Sequence, residues 1–145
     1  MTVLDAYAVI AYLRDERGAA EVTTLLRAPT TLAAVNAAEV MDQMVRVWRQ
    51  DSDEVEVALA MLARDGMTIT DATASIAFEA GRLRATHYDK KLCSVSMADC
   101  FTAATALLGG RAVATSDPHL LAIMLAEKGK VHPLPARRGN SPEVS

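Results

Sequence analysis

The chain reads as an α/β protein, a three-layer α/β/α sandwich with a mainly parallel sheet of about five strands. Three observations predict this. Short β-leaning stretches near residues 1–4, 30–35, 67–70, 112–115 and 131–134 alternate with segments of helical period. The length of 145 residues suits one hydrophobic core. Four junctions between the two kinds of segment carry an acid, Asp5, Glu39, Asp99 and Asp117. In a fold of this class such junctions gather at the carboxyl edge of the sheet, where ligands bind.

The elements follow in order. Residues 1–4 form a short buried strand ending at Asp5, and Ala6–Leu13 a helix with Val9, Ile10 and Leu13 on one side. Gly18 separates it from a second helix, Ala20–Arg27, which Pro29 stops. Thr30–Val35 is the next strand. Asn36 then opens a long helix on which Ala37, Val40, Met41, Met44 and Trp48 fall at helical spacing. Asp51–Ser52–Asp53 breaks that pattern and caps a helix running through Ala63, after which Gly66 leads into the strand Met67–Thr70. Thr73–His87 is helical and Tyr88–Val95 a loop. Ser96 starts a helix whose buried face is Met97, Phe101, Ala104, Thr105 and Leu108, ended by Gly109–Gly110. Ala112–Thr115 is a strand, Pro118–Glu127 a helix and Val131–Leu134 the last strand. The domain is expected to span residues 1–135, followed by a mobile tail, 136–145, rich in Arg, Gly, Asn, Ser and Pro. The order of the strands does not follow from the pattern.

Composition narrows the function classes. Apolar residues make up 51% and charged residues 23%, which excludes whole-chain disorder. The net charge of −3 provides no global basic field for nucleic acid, although a bound cation can supply positive charge where a phosphate sits. Cys93 and Cys100 have neither zinc-ligand spacing nor a partner His cluster, and read as thiols in a reducing cytoplasm. No run reaches the ~18 apolar residues of a membrane span, and no secretory leader is recognisable, so a cytoplasmic protein is expected.

Singly, each acid reads as a helix cap. Asn36 with Glu39, and Ser96 with Asp99, fit capping boxes, Asp117 precedes a proline at the first helical position, and Asp5 opens the first helix. Jointly, they read differently. Two carboxylates ~4 Å apart repel by about 4 kcal/mol at an effective dielectric near 20, whereas a favourable helix-end placement returns only about 0.3–1 kcal/mol. Four acids in one pocket therefore call for a cation or for protonation. An all-oxygen donor set suits Mg²⁺ or Mn²⁺ over zinc.

Val3–Leu4–Asp5, Asn36–Ala37–Ala38–Glu39, Ser96–Met97–Ala98–Asp99 and Ala114–Thr115–Ser116–Asp117–Pro118 together resemble the ordered acidic motifs of PIN-domain ribonucleases. The length and layout are similar to VapC toxins of bacterial toxin–antitoxin pairs. The resemblance covers about residues 1–135 and implies a Mg²⁺- or Mn²⁺-dependent endoribonuclease with Asp5, Glu39, Asp99 and Asp117 as catalytic metal-site acids. It further implies an RNA substrate, 5′-phosphate and 3′-hydroxyl product ends, a homodimer, and a cognate VapB-type antitoxin. Tyr7 departs from the pattern, since the family often carries Ser or Thr two residues after the first Asp.

Arg82, Arg84, Lys90 and Lys91 lie before the Asp99 motif and are candidates for phosphate contacts, weighed against a solvated basic face. His87, His119 and His132 lack metal-ligand spacing. No Gly-rich phosphate loop and no GxSxG elbow occurs. The alternative to a nuclease is a non-catalytic PIN-like or receiver-like Mg-binding interaction module. A receiver would carry paired acids after its first strand, where this chain has Asp5 alone.

Overall fold

The computed structural model describes residues 1–136. Ala136 is the one residue of the expected tail within this range, and the rest of that tail lies outside the described residues. Five strands, β1 (Thr2–Leu4), β2 (Thr30–Ala33), β3 (Met67–Thr70), β4 (Ala112–Thr115) and β5 (Lys130–Pro133), form one sheet in the order β3-β2-β1-β4-β5. Every pairing is parallel, so the sheet is wholly rather than mainly parallel.

The helices are α1 (Ala6–Arg14), α2 (Ala19–Leu25), α3 (Ala34–Asp42), α4 (Ser52–Arg64), α5 (Ala74–His87), α6 (Met97–Gly109) and α7 (Pro118–Ala126). Because β2 and β3 extend the sheet to one side of β1 and β4 and β5 to the other, right-handed crossovers place the two helix sets on opposite faces. Two apolar clusters record this. Leu4, Val9, Val22, Leu32, Val40, Val55 and Leu59 fill the layer under α1–α4. Val3, Leu83, Cys100, Ala103, Val113, Leu120 and Ile123 fill the layer under α5–α7. Val3 and Leu4, adjacent in β1, serve opposite layers, as the period of two in a strand requires. Each is fully buried, and burying a side chain of this kind stabilises by about 1.5–3 kcal/mol.

Three sequence expectations are corrected. The third helix starts at Ala34, directly after β2, so Asn36 lies inside its first turn and does not cap it. The expected long helix through Trp48 is interrupted: α3 ends at Asp42 and Gln43–Val47 form a π-helical turn, marked by the Trp48 N–H bond to the Gln43 carbonyl at 3.2 Å. Met97 and Leu108, expected on the buried face of α6, are exposed. Ala104 and Thr105 are buried as expected, and Cys100, Ala103 and Ala106 complete that face, whose small side chains let α6 lie close to the sheet. The glycine at 18 is required by its backbone, since φ is +98° where the chain turns from α1 into α2.

Candidate active site

Strand order creates the site. The chain leaves β1 toward β2 and later returns on its other side as β4, so the carboxyl ends of β1 and β4 diverge into a crevice at a topological switch point. Asp5 follows the last residue of β1, and Asp117 follows β4 by two. Glu39 rises from α3 after β2, and Asp99 from the first turn of α6.

Asp5 is the most constrained of the four, with 1% of its surface exposed. Its Oδ1 accepts the Ala8 N–H at 2.8 Å, which caps α1, and its Oδ2 accepts the Thr115 hydroxyl from the neighbouring strand. Burial pushes this carboxyl up to about 7, the Thr115 and Ala8 bonds oppose the rise, and the charges of Asp99 and Asp117 add to it. Asp99 is held through its own N–H, which donates to Ser96 Oγ at 3.1 Å, and is 9% exposed. Burial and then the charge of Asp117 raise it to about 6, with bonds to Ser96 and the nearby His119 in opposition. Glu39 is half-buried and raised to about 7, by burial first and then by Asp99 and Asp5, against a bond from Asn36. Asp117 Oδ1 accepts the His119 and Leu120 N–H groups at 2.7 and 3.3 Å and caps α7, while its own N–H donates to Thr115 Oγ at 3.0 Å.

These fields bring the four acids into one electrostatic cluster. None of them forms an ion pair with Lys or Arg among the described residues. Capping and clustering therefore coexist: Asp5 and Asp117 cap their helices, Ser96 caps the helix carrying Asp99, and Glu39 has no capping role. The donors are all carboxylate oxygens with uncompensated charge, which fits a hard divalent cation. The cluster is nevertheless open. No three His, Cys, Asp or Glu side chains converge as a ready-made ion cage among the described residues.

Two supporting residues escaped sequence reading. Thr115 joins Asp5 to the backbone of Asp117, and a Thr in a β-leaning run gives no sign of that. Asn36 is fully buried; its Oδ1 accepts the Thr102 hydroxyl at 2.8 Å and its amide donates to the Ala98 carbonyl at 3.4 Å, tying α3 to α6 between Glu39 and Asp99. A buried polar residue three positions before an acid was the available signal, and the cap reading absorbed it.

The basic candidates separate. Arg82 is paired with Glu79 and Glu127 at 2.6 and 2.8 Å, and Arg84 donates to the Val95 carbonyl while lying over the Tyr88 ring. Lys90 and Lys91 are exposed in a loop closed by the Asp89–Cys93 bridge. His87 pairs with Glu127 at 2.9 Å, His119 neighbours Asp99, and His132 lies in β5. Cys93 and Cys100 are unbridged. No described helix is long and apolar enough to cross a membrane.

The model of the PIN domain family matches residues 2–124, and the chain belongs to that family. A comparison with curated proteins finds no match. Among solved structures the chain is similar to VapBC2 from Rickettsia felis bound to a promoter DNA fragment, with a TM-score of 0.70 at 14% identity over 92% of this chain and 98% of that one. FitAcB from Neisseria gonorrhoeae gives 0.63 at 21% identity, over 90% of this chain and 96% of that one. The Mycobacterium tuberculosis VapC toxin that cleaves the sarcin–ricin loop gives 0.67 at 16% identity, over 84% and 94%. At these identities the likeness establishes the fold.

Proposed function

We propose that this PIN-domain protein is a Mg²⁺- or Mn²⁺-dependent endoribonuclease, the toxin of a toxin–antitoxin pair, with Asp5, Glu39, Asp99 and Asp117 as its metal-site acids. The observation that supports the reading is that four acids from four separate segments lie near enough to feel one another's charge, without a Lys or Arg partner among the described residues, three of them raised to about 6 or 7 by burial first and by their acidic neighbours second. The solved neighbours include a toxin–antitoxin complex and a toxin that cleaves the sarcin–ricin loop, which supports the biological setting.

When bound, the divalent ion supplies positive charge that acidifies a water and offsets charge building on the phosphate. The protein's own part is positioning. Asp5 offers a carboxylate fixed at both oxygens by Ala8 and Thr115. Asp99 projects from a capped helix start, so its backbone is locked before any ligand arrives. Glu39, half-buried, would help to hold the ion or orient the attacking water. Glu39 and Asp117 are the less buried pair. A VapB-type antitoxin would meet an acidic pocket, and an arginine from it could occupy the place of the ion.

The test is RNA cleavage by purified protein in Mg²⁺ or Mn²⁺, with chelator as the control. Asp5→Asn and Asp99→Asn should each lower the rate by at least ~100-fold, as loss of a group that stabilises transition-state charge does. Full-rate cleavage by both variants would sink the assignment. The competing reading is a non-catalytic PIN-like or receiver-like Mg-binding interaction module. That reading predicts metal-dependent stabilisation without any cut RNA ends.

A further inference from the structure

An ion at the acids serves the scissile phosphate alone, so a cationic side chain nearby would help to seat the neighbouring part of the strand. The structure engages several of the basic side chains that sequence offers. Arg14 pairs with Glu16 at 2.7 Å and stacks on Trp48, Arg46 is paired with Asp42, and Arg82 and Arg84 are engaged as described. Arg17, like Lys90 and Lys91, is exposed and forms no ion pair among the described residues, and what sets it apart is its place beside the acids. It also lines a shallow cleft together with Tyr7, Ala8, Ser116 and Leu134.

That cleft abuts the acid site through its own walls. Tyr7 stands two residues after Asp5, and the Ala8 N–H is the donor that holds Asp5. Ser116 lies between Thr115, which bonds Asp5, and Asp117. Leu134 closes the far side, its N–H donating to the Thr115 carbonyl at 2.9 Å. The enclosed part holds about 10 Å³, room for roughly one water and not for a base. A ligand there must lie across the rim, as a sugar–phosphate backbone does.

Resting on the nuclease reading, we propose that Arg17 binds a backbone phosphate of the RNA next to the scissile one, and that the Tyr7–Ser116 cleft leads the strand into the acid site. The contact is electrostatic and blind to base identity. Arg17 is thus a positioning residue, remote from the reacting atoms.

The experiment compares wild type, Arg17→Gln and Arg17→Lys. In cleavage assays with Mn²⁺, Arg17→Gln should raise KM about tenfold with kcat nearly unchanged, and its salt dependence of binding should lose about one phosphate's slope. Arg17→Lys should recover most of the loss, since a point charge suffices for a monodentate phosphate contact. Binding of a single-stranded RNA oligonucleotide, followed by fluorescence anisotropy in chelator at low salt, repeats the comparison without cleavage. Equal affinity and equal salt slope for wild type and Arg17→Gln overturn the proposal while leaving the nuclease reading intact. Absent cleavage by wild type overturns the nuclease reading, and the binding measurement still decides Arg17.

Discussion

The Thr115 hydroxyl donates to Asp5 Oδ2 and accepts the N–H of Asp117, so one buried side chain ties the ends of β1 and β4 together at the centre of the acid cluster. Replacing it with Val keeps the shape and deletes both bonds. An unsatisfied buried acceptor and donor cost about 1–3 kcal/mol. Thr115→Val should therefore lower Tm by roughly 3–10 °C. It should also raise the Asp5 carboxyl further, because the bond that opposes the rise is gone. Mn²⁺ titration followed by Tm should show weaker binding in the variant than in wild type at pH 7. Equal Mn²⁺ affinity would mean that Thr115 supports the fold and not the site.

The raised carboxyls fix the sign of the pH dependence. Asp5 and Glu39 at about 7 and Asp99 at about 6 bind protons in the folded chain that the unfolded chain has already lost. Their contribution to stability is complete below about pH 4 and is lost as pH rises through 6 to 7. The carboxyls held low by pairing, Asp42, Glu79 and Glu127, act in the opposite sense, as pH falls through the ordinary carboxylate range, and weakly because they are exposed or salt-screened. Calorimetry in chelator should show Tm falling by several degrees between pH 5 and about pH 8. A flat or rising profile over that window contradicts the burial and the mutual repulsion that raise these acids.

Asp99→Asn separates capping from crowding. Asp99 occupies the first turn of α6, where the helix dipole favours its charge by about 0.3–1 kcal/mol. Burial and Asp117 act against that charge more strongly, as its rise to about 6 records. In chelator at pH 8 the variant should therefore melt higher than wild type, by about 2–5 °C. The two should converge toward pH 4, where the native carboxyl is neutral as well. A lower Tm in the variant at pH 8 would show that helix-end stabilisation outweighs repulsion at this position.

The parts of this molecule legible in sequence are those written locally. Strand runs, the Gly66 and Gly110 turns and the acids Asp5, Asp99 and Asp117 at helix starts each depend on neighbours a few residues away, and their places in the chain follow the reading closely, whereas Glu39 lies in the middle of α3 and not at its opening. What escaped depends on distant partners. Periodicity placed Trp48 on a continuing helix, but Arg14 lies 3.1 Å from its ring centroid, and the chain takes a π-helical turn just before it. Arg82 looked available for RNA because Glu127, 45 positions away, is invisible to a local reading. Asn36 looked like a cap because the small apolar residues just before it, Ala33, Ala34 and Val35, do not reveal where strand ends and helix begins. The side chain's task, bridging to Thr102 across 66 positions, is a tertiary fact.

That bridge supports a last prediction. Asn36 Oδ1 accepts the Thr102 hydroxyl at 2.8 Å, the same hydroxyl reaches the Ala98 carbonyl at 3.3 Å, and the Asn36 amide reaches that carbonyl at 3.4 Å. Both side chains are fully buried, so neither can exchange its partner for water. Ala98 precedes Asp99, and Asn36 also bonds Glu39, which makes this polar contact the rigid spacer between two of the acids. Asn36→Ala and Thr102→Val should each destabilise by about 1–3 kcal/mol, and the double variant by less than the sum, with a coupling of about 0.5–3 kcal/mol. The singles should also lower kcat for RNA more than they raise KM, because they shift acids and leave the Arg17 cleft in place. Chemical denaturation gives the coupling, and initial rates in Mn²⁺ give the split. Additive stabilities would dissolve the bridge as an energetic unit, and a pure KM effect would remove it from the positioning of Glu39 and Asp99.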